Sequence, residues 1–251
     1  MRPGSDGQTA LRLRQAAERA DRLDMAVPGR FVTGEERAMA VHAAREAGVA
    51  ASFDGGWADA ERVQVCFHPA WAEAEFTGVW LRIAWAAKFA RVGHSDLLGS
   101  LMALGMDRSF FGDLIALEDC AWLMAMPEAA RRLPMEWDKA GNVPLRVTLA
   151  EGQPDFTPPK GEEMRDTVAS LRLDCVLSSG MRTSRSRAAE MIREGLVMVD
   201  HMPEERVDRL LAEGQMLSVR GFGRIRLVQV GEMTRKERLP VMLEVFRRNA
   251  K

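Results

Sequence analysis

The sequence predicts an α+β protein: a helical N-terminal segment, a βαββαβ middle domain, and a C-terminal module of two helices followed by strands. Three observations carry that reading. Apolar residues recur at helical spacing in residues 8–47, strand-like and helix-like segments alternate between 79 and 149, and an arginine-rich joint links two short amphipathic helices within 170–195. A chain of 251 residues, 47% of them hydrophobic, can bury a real core as one large domain or two to three small ones.

Leu11, Leu13, Ala16, Ala17, Ala20 and Leu23, set among charges, make residues 8–25 an amphipathic helix. Pro28-Gly29 ends it, and Thr33-Gly34-Glu35-Glu36 opens a second helix, residues 35–47, closed by Gly48. Two strands, 49–53 and 62–68, flank the turn residues Asp54-Gly55-Gly56 and, if paired, extend a sheet. Residues 1–75 therefore read as a scaffold or partner-facing segment. From 76 to 150 the order is strand 79–86, helix 95–104, strand 113–117, strand 121–126, helix 127–140 with Pro127 in its first turn, and strand 144–149. That is the ferredoxin-like plan shared by RNA-recognition motifs.

The plan alone assigns no RNA chemistry to this domain. The strand that should carry stacking aromatics reads Cys120-Ala121-Trp122-Leu123-Met124-Ala125-Met126, and the chain has no Tyr. Trp122 is expected in the core, and Trp80 and Trp85, on opposite strand faces, should leave at least one buried. A stretch rich in Pro and Gly follows, so residues 151–164 read as a linker and hinge before a module spanning 165–251.

Residues 170–195 hold Arg172, Arg182, Arg185, Arg187 and Arg193 against only Asp174, Glu190 and Glu194. Leu171, Leu173, Val176 and Leu177 give the first helix an apolar stripe and Ala188, Met191 and Ile192 give one to the second, so the two pack together. Ser178-Ser179-Gly180 reads as a breaker between them, and Thr183 or Ser184 as the cap of the second helix. Arg185 and Arg187 then stand in that helix's first turn, where the dipole disfavours a cation by roughly 0.3–1 kcal/mol. Open amides with guanidinium forks beside them make a phosphate-binding arrangement. Asp174 suits helix capping or arginine orientation, and Arg172 has a structural reading too, as a partner of Asp174 or Glu190. Strands follow at 196–200, 216–220 and 225–230, and Arg220, Arg224 and Arg226, two or four apart, can share one face of an extended chain.

The runs Arg172-Leu173-Asp174, Ser184-Arg185-Ser186-Arg187-Ala188, 192–200 and 213–224 resemble the S4 (αL) RNA-binding domain, the helix-helix-strand module of ribosomal protein S4, several pseudouridine synthases and heat-shock protein 15. Upstream, residues 94–105 with Phe111-Gly112-Asp113 resemble the middle domain of the YlmH-type S4 proteins, and the likeness runs from about Trp80 to the C-terminus. The resemblance implies RNA binding by Arg172, Arg182, Thr183, Ser184, Arg185, Arg187, Arg193, Arg220, Arg224 and Arg226. It also implies a partner surface or a structural polar cluster at His94, Asp96, Arg108 and Asp113. In function it implies a bacterial, cytoplasmic, cofactor-free monomer that binds structured rRNA and tRNA on the large ribosomal subunit, in ribosome-associated quality control of stalled nascent chains. Asp200 stands where asparagine is commoner and Gln215 where aspartate is usual. The first is expected to weaken an RNA contact near the strand end, the second to touch only a turn.

Two other functions compete: an RNA-modifying, pseudouridine synthase-like enzyme, and a cell-division adaptor resting on the helical N-terminus. The synthases, as a family, need a catalytic aspartate in a separate domain and an active-site tyrosine, which this chain lacks. Gly221-Phe222-Gly223 has no third glycine and no following helix, and Gly93-His94-Ser95-Asp96 is a helix start rather than a triad. No catalytic or metal-ligating residue is assigned. Cys66, Cys120 and Cys175 are odd in number and far apart, against a disulfide framework or zinc cluster and in keeping with a reducing compartment. The start lacks the apolar region of a signal peptide and no apolar run approaches a membrane span, so a soluble protein without a membrane partner is expected. Net charge is −1, with 17 Lys+Arg against 14 Asp+Glu in residues 161–251 and 18 against 22 before them, so RNA attraction must come from a focused patch.

Overall fold

The computed structural model describes residues 5–88, 90–152, 154, 161–234 and 237–247. The chain forms two compact units, Met1–Phe156 and Thr157–Lys251.

The first unit opens with α1 (Ser5–Leu23), β1 (Val27–Val32), α2 (Gly34–Ala47), β2 (Ala50–Asp54) and β3 (Val63–His68), the strands pairing antiparallel in the order β1-β3-β2. Leu13, Ala17 and Ala20 of α1 and Ala40, Ala43 and Ala44 of α2 are buried with Val65 and Phe67 of β3, small side chains that let the helices approach each other closely. A capping box starts α2, with the Thr33 amide donating to Glu36 Oε2 at 2.8 Å, and Gly48 ends it in the left-handed conformation. The helix stop expected at Pro28-Gly29 is instead part of a strand. β1 is an edge, where a proline is tolerated, its ladder bulges between Pro28 and Phe31, and a Cβ on Gly29 would lie 2.7 Å from Val65 Cγ1.

The unit continues through β4 (Val79–Ala84), α3 (His94–Ala103), β5 (Phe111–Ala116), β6 (Cys120–Ala125), α4 (Pro127–Glu136), a two-residue ribbon of β7 (Lys139–Ala140) with β8 (Val143–Pro144), and β9 (Arg146–Leu149). The sheet order β5-β6-β4-β9, every neighbour antiparallel, is the ferredoxin-like order expected from the sequence. The second helix is shorter than expected. It stops at Trp137, which is buried and donates Nε1–H to Ser100 Oγ at 2.9 Å, and Gly141 at φ 58° turns the chain into the ribbon.

Leu81, Ile83, Ala121 and Leu123 face the helices, while Trp80 and Met124 face the other way and are buried with Phe31 of β1, with Trp57 and Trp122 packed against them. The sheet face that would form a stacking platform is therefore covered by the N-terminal segment. Trp80 and Trp85 are both buried.

In the second unit β10 (Glu162–Val168) is followed by α5 (Leu173–Met181), α6 (Arg185–Arg193), β11 (Val197–Val199), β12 (Met202–Pro203), β13 (Met216–Val219), β14 (Gly223–Val230) and β15 (Leu239–Arg247). They form one antiparallel sheet in the order β10-β15-β14-β13-β11-β12. Both helices bury their apolar stripes with Ile225, Leu227, Leu243 and Val245. Of the expected linker 151–164, residues 153 and 155–160 lie outside the described residues, and its last three belong to β10, paired in register with β15. Among the described residues no helix is long and apolar enough to cross a membrane.

Candidate nucleic-acid interface

Ser178-Ser179-Gly180 does not break the first helix of the second unit. Ser178 Oγ bonds back to the Cys175 carbonyl at 2.9 Å, and Gly180 sits where a Cβ would lie 2.8 Å from Ile225 Cδ1, so the absent side chain brings α5 down onto β14. The helix ends one residue past Gly180, where Arg182 takes the left-handed conformation at φ 52°, ψ 47° and the Thr183 amide bonds to the Ser178 carbonyl. Glycine is the residue that position favours. An arginine stands there instead, its side chain 65% exposed, and among the described residues it pairs only loosely, with Glu162 at 3.9 Å.

Ser184 caps α6 by accepting from the Arg187 amide at 3.2 Å, and the first turn of the helix has no acid. Among the described residues the amides of Arg185 and Ser186 have no hydrogen-bond acceptor. Asp174, buried on α5, holds two of the arginines: Arg185 Nε donates to Oδ2 at 2.8 Å and Arg172 Nε to Oδ1 at 3.2 Å. Burial alone would raise the Asp174 pKa, but the bonds from Arg185 and Arg172 outweigh it and hold the carboxyl below its ordinary value. Asp174 is thus the arginine-orienting residue, and the guanidiniums of Arg172 and Arg185 keep exposed edges.

A groove of about 470 Å³ runs beside this junction, lined by Ser178, Ser179, Arg182, Thr183, Arg185 and Arg238. Ser179 Oγ donates to Asp166 at 2.6 Å, and Arg238 donates to the Thr167 hydroxyl at 2.9 Å and to the Thr167 carbonyl. The sequence did not single out Arg238, and it marked the two serines only as part of a helix breaker. Arg238 lies 53 positions beyond Arg185 and reaches the groove only because β15 pairs with β10.

The remaining expected residues do not converge on the groove. Arg187, exposed on α6, pairs with Glu190 at 2.5 Å, and Arg193 is exposed at the far end of that helix. Arg220 is exposed in the turn after β13, its amide bonded to the Leu196 carbonyl. Arg224 and Arg226 share a face, as their spacing requires, but it is the sheet face away from the helices, because Ile225 between them packs under Gly180. There both lie over the Phe246 ring, at 5.3 and 5.9 Å, and Arg226 pairs with Glu244 at 3.6 Å.

The two departures from the S4 pattern meet each other. The Asp200 carboxylate accepts from Gln215 Nε2 at 2.6 Å and from the Met216 amide at 2.9 Å, fixing a turn in which Asp200 and His201 both have positive φ. Asp200 is therefore engaged inside the unit, and Gln215 serves the turn, as expected.

His94, Asp96, Arg108 and Asp113 do not form one cluster. Asp96 accepts from the Gly93 amide in the cap of α3, where His94 is exposed. Asp113 accepts from Trp57 Nε1 and from the Glu61 and Arg62 amides, while Arg108 donates to the Phe111 and Gly112 carbonyls. Those last two are internal fasteners.

Residues 72–153 match the family model described as "Putative RNA-binding domain in YlmH". A protein of Bacillus subtilis (strain 168), "Ribosome-associated protein quality control protein P2", is 32% identical over 218 residues, 85% of each chain. The chain belongs to the YlmH family. A solved structure named "Cell division protein ylmH from Streptococcus pneumoniae" aligns with TM-score 0.48 and 20% identity over 60% of this chain and 94% of that one. The YlmH RNA-binding model covers the four-stranded sheet and its helices, whereas the arginine groove lies in the second unit, outside the matched residues.

Proposed function

We propose that the second unit is an S4 domain that holds structured rRNA and tRNA on the large ribosomal subunit, and that the protein acts by binding alone, as a cytoplasmic monomer, in ribosome-associated quality control of stalled nascent chains. The observation that carries this reading is Arg182. A residue held in the conformation glycine favours, with its cation in the open beside Arg185 and two open amides at the start of α6, is better explained by what it binds than by what it stabilises. Phosphate oxygens would accept from Arg182 and Arg185, from the Thr183 hydroxyl and from the open amides of α6, while Asp174 sets the angle of Arg185 from beneath. The name of the B. subtilis relative, which it carries at 32% identity, supports the ribosomal setting.

Sedimentation through a sucrose gradient tests the proposal. The chain is expected to travel with free large subunits, and RNA from a deletion strain is expected to keep all of its modified bases. Failure to co-sediment would remove the ribosomal reading, and a missing modified base would favour the enzyme.

A further inference from the structure

The first unit holds a second concentration of arginine, although residues 1–160 are acidic overall, with 18 Lys+Arg against 22 Asp+Glu. Arg12, Gln15, Arg19 and Arg22 follow the spacing of one face of α1 and line a depression of about 560 Å³ closed on its other side by Arg30, Met126 and Glu128. A neighbouring depression of about 440 Å³ is lined by Arg12, Arg30, Arg62 and Arg108 with Glu36 and Asp107. Arg12 and Arg30 belong to both, so the two make one trough.

The carboxylates along it are mostly engaged by other groups. Glu18 is held by Arg14 at 2.8 Å, Glu36 by the Thr33 amide, and Asp107 by the Ser109 amide and hydroxyl. Arg12 and Arg30 instead share a neutral group, Ser109 Oγ, at 2.8 and 3.5 Å, with Arg30 also lying 3.9 Å over the Phe110 ring. Among the described residues Arg12 Nη2 is buried with no hydrogen-bond partner. Burial and then the charge of Arg30 hold Arg12 below its ordinary pKa, and burial and then Arg62 hold Arg108 at about 10. Among the described residues Arg19 and Arg22 are exposed and have no carboxylate within ion-pair distance. Crowded guanidiniums whose neighbouring acids are held mostly by other groups are relieved by a bound anion, and forked donors spread over about 15 Å of helix from Arg12 to Arg22 suit a run of phosphates better than one small ion.

We propose that this trough is a second phosphate-binding surface of the protein, taking the backbone of RNA along α1 independently of the α5–α6 junction. It rests on the reading that the ligand is RNA, which its far wall supports: Arg108, Ser109 and Met126 fall within the residues matched by the RNA-binding family model.

The test titrates a fluorescein-labelled RNA hairpin with the full chain at several salt concentrations. The proteins compared are the unchanged chain, R19Q/R22Q, R19E/R22E, R182G/R187Q and the combination of R19Q/R22Q with R182G/R187Q. Arg19 and Arg22 are exposed, so the melting temperature should hold for the neutral pair. The log–log salt slope should fall by about 2 in R19Q/R22Q, in both backgrounds, with a further loss of affinity on charge reversal. Unchanged affinity and slope in the α1 variants would overturn the inference, whatever the junction variant does. A loss in the α1 variants with R182G/R187Q unaffected would leave the trough standing and remove the junction reading.

Discussion

Asp174 shows how far single residues were readable. Its place two residues from Arg172 announced an arginine-orienting role, and the structure keeps it, but the stronger partner is Arg185, eleven residues on, which only the packing of α5 on α6 brings within 2.8 Å. The folded carboxyl titrates below its ordinary value, so its contribution is complete above the ordinary carboxylate range, near 3.8, and is lost as pH falls through the lowered folded value. Asp174→Asn should therefore lower stability by about 1–3 kcal/mol at neutral pH, with the gap to the unchanged chain closing below pH 3.8. Urea midpoints across pH check this; a gap that does not change with pH would remove the charge from the explanation. Arg224 and Arg226 mark the limit of the residue scale. Spacing placed them on one face, but nothing local says which face of a sheet will be covered by helices.

Among the elements, those with a clean period were legible and those shaped by tertiary contact were not. Both arginine-joint helices, the four strands of the ferredoxin-like sheet and α2 were expected from periodicity. β1 was hidden behind Pro28-Gly29, which break an isolated segment but suit a bulged edge. β10 was hidden by its polar sequence, because one face stays exposed while pairing with β15 holds it. β15 was not read as a strand, although Leu239, Val241, Leu243 and Val245 alternate plainly. Gly180 was misread as a breaker because its reason lies across the core in Ile225. Gly180→Ala should gain up to about 1 kcal/mol in helix propensity yet lose about 1–3 kcal/mol to overpacking, for a net loss of stability. Adding Ile225→Val should recover part of it. A more stable Gly180→Ala would show that the close approach of α5 to β14 is not what the glycine serves.

At the scale of the whole molecule, sequence likeness reached the family before any contact was known, and the contacts then redistributed the candidate residues. The sheet face that could have stacked bases is filled by Phe31 and Trp57, which leaves the two arginine surfaces proposed above for RNA: the α5–α6 junction in the second unit and the α1 trough in the first. With a net charge of −1, the chain has no diffuse attraction for RNA, and affinity must depend on those few cations. The most direct measurement is the salt dependence of binding to purified large ribosomal subunits by the unchanged chain and by R182G/R187Q. The account predicts a log–log slope of roughly −3 to −5 for the unchanged chain, smaller by about 1 in the variant because Arg182 alone of the pair lines the groove, with no loss of melting temperature. A flat response, or equal slopes in the two proteins, would contradict it.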